Sequence, residues 1–292
     1  MMKNGRHRRS FLLSILALMG AAHVAHSSTT AASSPKPTIV SQEAAPEKGS
    51  HAETDKNAVW SFTPDPNLPN VLILGDSISI GYTLQVRELL QGKANVFRPM
   101  RGNRRLNCNG TGFGVANLDT WLAGQRWDVI HFNWGLHDLK HVKTAGSNDK
   151  SNDPDDPTQA TLEEYVKNME TIVEKLKATG ARLVFATTTP IVQGTLNPLR
   201  TPEAPVRYNA AALEIMEANK VRVNDLHALC EPNLNEWQLP RNCHFKPIGS
   251  EALAKQVAAL IAEELGAADK TGTPGAGMPG PAVSTGSGPN SI

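Results

Sequence analysis

What most restricts the folds open to this chain is an alternation of period. Between residues 67 and 266, short apolar runs take turns with longer stretches whose apolar residues recur at helical spacing. "NVLILG", "NVFRP", "WDVIHFNWG", "ARLVFATTTP" and "VRVNDLHAL" read as strands. "ISIGYTLQVRELLQG", "GVANLDTWLAG", "TLEEYVKNMETIVEKLKATG", "APVRYNAAALEIMEANK" and "PIGSEALAKQVAALIAEELG" read as helices, several of them closed by glycine. Strands separated by helices pair in parallel, and a parallel sheet is covered on both faces. An α/β domain with a central parallel sheet is therefore expected. All strands of such a sheet end at one edge, and ligands bind in the crevice beyond those ends. The segments following the strands are the ones to search: "GDSIS", "RGNRRLNCNGTG", "NWGLHDLKH", "TTTPIVQG" and "LPRNCHF". They are rich in Ser, Asn, Gly, His and Thr.

The flanks read differently. Lys3, Arg6, Arg8 and Arg9 precede an apolar stretch over residues 11–22, with small residues and an Ala25-His26-Ser27 cleavage site after it. Residues 1–27 thus read as a signal peptide, with an uncleaved anchor as the alternative. Residues 28–66, rich in Ala, Ser, Pro, Glu and Lys, read as a disordered linker, and the Gly/Pro/Ser-rich residues 267–292 as a disordered tail. A secreted or periplasmic protein is expected, with no stable membrane association once the signal is removed. Twenty-nine basic residues against 28 acidic ones leave a net charge of +1, which argues against a nucleic-acid partner. Export makes the three cysteines candidates for a disulfide. Cys230 and Cys243 flank a short loop and are the expected pair, although Cys108 can pair with either.

"NVLILGDSISIGYT", residues 70–83, ends a buried strand in an acid and a serine and turns at once into a helix. Ser77 at that corner is either an ordinary helix cap or a nucleophile. A serine hydroxyl attacks an ester only when a base accepts its proton, and histidine titrates in the right range. His244 lies on another crevice loop, ahead of the last helix. The oxyanion that forms on attack needs preorganised N–H donors. The Ser77 and Gly110 backbone amides and the His137 ring are candidates, with Asn109 an alternative to Gly110 and an ordinary loop role the alternative for His137. Asp76 and Asp138 read as acids that hold loop amides, and Asp225 as a cap. His131, His137 and His141 do not share a face at metal-ligand spacing, so no metal is expected. Arg98, Arg101, Arg104 and Arg105 crowd the second crevice loop, either solvated or touching an anionic or polyhydroxylated substrate.

These blocks, in this order, resemble the SGNH (GDSL) hydrolases and esterases over roughly residues 70–265. "GDSIS" resembles the family's first block, "NCNGTG" its second, "GLHD" its third and "CHFKPIGSEALAKQV" its fifth. The resemblance implies a three-layer sandwich of flavodoxin-like type over residues 67–266. It also implies Ser77 as nucleophile, His244 as base, an oxyanion hole from Ser77, Gly110 and His137, and no cofactor. Two positions depart from the pattern. His137 stands where the family usually has Asn, and Arg241 stands where it has the acid of the triad, three residues before the His. A neutral oxygen from Asn242 or from the backbone is then expected to hold His244. The implied activity is hydrolysis of short acyl esters, acetyl above all, on a small molecule or a glycan. An acyltransferase and an inactive exported binding module are the alternatives.

Overall fold

A computed structural model of the protein describes residues 58–194 and 196–271, in which the strand–helix alternation folds as its periodicity predicts. The expected signal peptide, the linker up to residue 57 and the tail beyond residue 271 lie outside the described residues. The central sheet holds β1 (Asn70–Leu74), β2 (Asn95–Phe97), β5 (Val129–Phe132), β6 (Arg182–Ala186) and β7 (Arg222–Asn224). Their order is β2-β1-β5-β6-β7 and every pairing is parallel. Counted among the sheet strands alone this is 2-1-3-4-5, the flavodoxin-like winding. Leu72 is in register with Phe97 on one side and Ile130 on the other. Val71, Leu72, Ile73 and Leu74 are buried, as an apolar run without polar alternation requires.

Helices cover both faces. α1 (Ser77–Leu89) packs along the closing helix α7 (Pro247–Thr271), while α2 (Thr111–Leu122), α3 (Leu162–Ala178) and α4 (Glu203–Asn219) form a contiguous row. α3 shows why such segments become helices. Tyr165, Met169, Ile172, Val173 and Leu176 recur at helical spacing, and all are buried. Thr161 and Glu164 close a capping box at its start, a feature that contributes about 1 kcal/mol.

Three expectations are corrected. "VRVNDLHAL" is not one strand. β7 ends at Asn224 because Asp225 accepts from the Ala228 N–H and starts the short helix α5 (Leu226–Cys230). A turn at Glu231–Asn233 and α6 (Leu234–Trp237) follow before α7. Residues 58–66, read as linker, pack on the domain. Trp60 is buried, Phe62 packs its ring at a tilt against Phe97, and the Asp65 amide donates to Asn95. The Cys230–Cys243 bond is not formed: all three cysteines are buried free thiols. Cys243 turns its sulfur toward the His244 ring, 3.9 Å from Nδ1, and Cys230 packs in the apolar core. Burial pushes the Cys108 thiol up to about 11 and the Cys230 thiol up to about 12, so neither is a reactive thiolate.

Candidate active site

β1 lies at the point where the winding reverses, with β2 on one side and β5 on the other. The crevice beyond it is where a sheet of this order binds ligands. Gly75 ends the strand. A Cβ there would come 2.9 Å from Ser79 Oγ, so only glycine lets α1 start so close to the sheet. Asp76 then caps α1, its carboxylate accepting from the Ile78 N–H at 2.8 Å. Ser77 becomes the first helical residue. Its own N–H has no acceptor among the described residues, and its hydroxyl sits at the positive end of the helix. Arg98 braces this turn from below, buried and donating to Thr83 Oγ1 at 2.8 Å and to the Leu106 carbonyl at 2.9 Å. It is a strut beneath the turn and is not among the residues that line the cleft. Arg101, Arg104 and Arg105 stand on the exposed hairpin of β3 (Met100–Arg101) and β4 (Arg104–Arg105), outside the cleft that holds Ser77.

Ser77 Oγ lies 2.8 Å from His244 Nε2, although 167 positions separate the two residues. His244 is carried by a tight turn in which the Asn242 amide donates to the Leu239 carbonyl and Arg241 adopts φ = 52°. That left-handed residue swings the Asn242 side chain over the imidazole. Its Oδ1 accepts from the His244 backbone N–H at 3.0 Å and from Nδ1 at 2.7 Å. An amide oxygen can only accept, so the ring proton resides on Nδ1 and Nε2 is left to accept from Ser77. Among the described residues no carboxylate occupies this place. Asp225 is spent on the Ala228 amide and the Thr187 hydroxyl. Burial lowers the His244 pKa below its ordinary value and Arg200 adds to this, against the opposing charge of Asp76.

The third loop is pressed against the sixth strand's exit. A Cβ on Gly135 would fall 2.0 Å from Thr188 Oγ1, so glycine is required for this approach. Just beyond it, His137 lines the same cleft as Ser77 and His244. Lys140 Nζ lies 3.3 Å from its Nδ1. An ammonium has donors only, so Nδ1 accepts and the ring carries its proton on Nε2. Burial, helped by Lys140 and Arg200, holds the His137 pKa down to about 3, which keeps the ring neutral. Asp138 lies one residue on and ties loops together, its Oδ1 accepting from the Thr111 N–H at 2.8 Å at the start of α2. Burial raises its pKa to about 7. Gly110 is packed against that carboxylate and, with Asn109, lines the neighbouring cavity instead of the cleft. Asn107 lines the cleft that holds Ser77. Its Oδ1 accepts from the Asn109 N–H at 2.9 Å, which leaves its amide N–H pair as the donor. Among the several polar residues of "NCNGTG" and its approach, nothing local marks Asn107 as the one that lines the cleft.

His131 and His141 do not join this site. His131 is buried within β5 with Nε2 3.1 Å from Asn224, and His141 Nδ1 meets the Asp156 carbonyl at 2.7 Å.

A strand-exit serine hydrogen-bonded to a histidine, on a 2-1-3-4-5 parallel sheet, defines a serine-hydrolase class of α/β protein. The sequence accords with this: residues 73–252 match the GDSL-like Lipase/Acylhydrolase family, and the chain belongs to that family. It is a hydrolase of SGNH fold. Solved structures with the same fold include an acetyl xylan esterase, 16% identical, with 66% of this chain and 99% of that chain covered at a TM-score of 0.52. A lipase/acylhydrolase from Enterococcus faecalis is 18% identical, with coverage of 67% and 96% and a TM-score of 0.53. A GDSL-like lipase from Bacteroides thetaiotaomicron is 13% identical, with coverage of 73% and 96% and a TM-score of 0.52. No match was found among curated protein sequences. No helix among the described residues is long and apolar enough to cross a membrane.

Proposed function

We propose that the protein is an exported serine esterase that removes short acyl groups, acetyl foremost, from a carbohydrate or small-molecule ester. The observation that carries this is the 2.8 Å contact of Ser77 Oγ with His244 Nε2, with Asn242 on the far ring nitrogen. In this reading Nε2 takes the hydroxyl proton as Ser77 Oγ attacks the ester carbon. The Ser77 N–H, His137 Nε2–H and Asn107 Nδ2–H face the carbonyl oxygen as it becomes an anion. Collapse releases the alcohol, which takes the proton back from His244, and leaves acyl-Ser77. Water, deprotonated by the same nitrogen, then frees the acid. Gly110 acts one step removed, as the close contact that lets Asp138 clamp α2.

Asn242 fixes the tautomer of His244 but carries no charge to balance the imidazolium, so the machinery is a dyad with an amide orienter in place of a triad. The cleft of about 340 Å³ suits a short acyl group and one part of an alcohol better than a long lipid chain. Export rests on residues 1–27, and acetyl on the small cleft and the esterase among the structural relatives. Ser77→Ala is expected to abolish hydrolysis of an aryl acetate while leaving the circular-dichroism melt unchanged. A fluorophosphonate probe is expected to label the wild type at Ser77 alone. Activity of the variant within twofold of wild type, a difference of about 0.4 kcal/mol, would remove Ser77 as nucleophile. N-terminal sequencing of the mature protein tests the signal.

A further inference from the structure

The cleft beside Ser77 has an unbalanced lining. Four cations contribute to it: Lys140, Lys150, Arg200 and Arg241. Asp76 is the one carboxylate, and it is buried, bonded to the Ile78 amide and pushed toward its neutral form by desolvation. The chain as a whole carries only +1, so this concentration is local. The four cations come from three separate loops, after β5, after β6 and before α7, which only the fold brings together.

Their hydrogen bonding leaves capacity directed at the cleft. Arg200 is 7% exposed, and its donors reach the Leu136 carbonyl at 2.8 Å and the Pro198 carbonyl at 3.5 Å. Its remaining terminal nitrogen has no acceptor among the described residues. Lys150 and Arg241 are exposed at the rim, and neither forms an ion pair among the described residues. Lys140 reaches only neutral groups, His137 and Asn148, at 3.3 Å each. Its ammonium is pushed down to about 8 by burial and then by Arg200 and Lys150. Like charges held together with only a buried carboxylate, Asp76, among them raise the free energy of the empty cleft, and an anion entering it relieves that repulsion. A nearly buried guanidinium with an unused edge is the group that recognises an oxyanion best.

Resting on the esterase reading, we infer that the ester substrate carries an oxyanion group, a carboxylate or a sulfate, beside the scissile bond. Arg200 binds it at depth, and Lys150 and Arg241 attract it at the rim. An acylated acidic sugar fits this chemistry, and a neutral acylated glycan leaves the cations unpaired.

The test measures binding without turnover. Titration calorimetry on the full-length Ser77→Ala protein uses three unacylated probes: tetragalacturonate for carboxylate, a sulfated galactan tetrasaccharide for sulfate, and xylotetraose as neutral control. One anionic probe is expected to bind about tenfold or more tightly than xylotetraose, as a charge-assisted contact allows, and its identity names the oxyanion. Lys150→Gln with Arg241→Gln, both exposed and so tolerated by the fold, is expected to erase most of that preference. So is salt at about 0.5 M, where screening shortens to roughly 4 Å. Equal binding of all three probes, no binding of either anion, or an anion preference untouched by the double replacement would overturn the inference. Fluorophosphonate labelling of wild-type Ser77 is read separately. Labelling without anion preference sinks this inference and keeps the esterase. Anion preference without labelling sinks the esterase reading, and with it the ester substrate, and leaves only an anion-binding cleft.

Discussion

Asn242→Asp puts a charge where the structure holds a neutral oxygen, and its consequences can be worked through. The Asn242 Oδ1 is 2.7 Å from His244 Nδ1 and is held there by a second bond from the His244 backbone N–H at 3.0 Å. A carboxylate in the same place keeps both bonds and adds attraction to the imidazolium that forms during attack. At a charge separation of about 4 Å, an effective dielectric of 20 gives about 4 kcal/mol. His244 keeps part of its surface in solvent, so a dielectric two- to fourfold higher is the appropriate one and leaves roughly 1–2 kcal/mol. That is about a tenfold rise in kcat/KM on an aryl acetate at pH 8, where the base is neutral in both proteins. The same attraction favours the charged ring, so the acid limb of the pH profile should move upward by about one unit. Asn242→Ala removes the acceptor, frees the ring to take the wrong tautomer, and should lower kcat/KM about tenfold with little change in KM. Stopped-flow or plate assays of kcat/KM between pH 4.5 and 9, on all three proteins, give both quantities. If Asn242→Asp neither raises the plateau nor moves the acid limb, or if Asn242→Ala matches wild type, the amide does not orient the base.

Three further outcomes follow from the same geometry. In the wild type the acid limb of kcat/KM should have its midpoint below 6.5: burial disfavours imidazolium, so His244 stays a competent base as pH falls through the ordinary histidine range, as a pH–rate profile will show. Lys140→Met removes the donor to His137 Nδ1 and lets the ring proton move to the nitrogen that faces away from the ester. kcat should fall about tenfold with KM within twofold, and a lost KM alone would speak against a tautomer role. Gly135→Ala forces a methyl against Thr188 Oγ1, which should cost about 1–3 kcal/mol and lower the melting temperature by several degrees. An unchanged melt would mean that the third loop is not held by that contact.

The chain's own pattern was enough to place the five sheet strands and the major helices, and with them the corner that carries Ser77 and the loop that carries His244. The reason is that periodicity is local: a run such as "NVLIL" is buried on both faces whatever follows it, and α3 shows its apolar face within its own seventeen residues. The absence of an acid at Arg241 was equally legible, and with it the choice of Asn242 or a backbone carbonyl as the acceptor for Nδ1. Tertiary structure decided between those two, because Arg241 in a left-handed turn is what brings the amide oxygen over the ring. It also placed Asn107 on the cleft of Ser77 and Gly110 on the adjacent cavity, next to the bond between Thr111 and Asp138. Cys230 and Cys243 are neighbours in sequence, yet nothing in thirteen positions of spacing says which way two buried sulfurs point. Trp60 lies in a stretch whose composition resembles a linker, and only its fit on the finished domain gives it a partner, Arg105 over its ring. The four cations of the cleft are the clearest case: Lys140, Lys150, Arg200 and Arg241 belong to three loops, and it is the parallel winding of the sheet, returning each loop to the same edge, that turns scattered charges into one site.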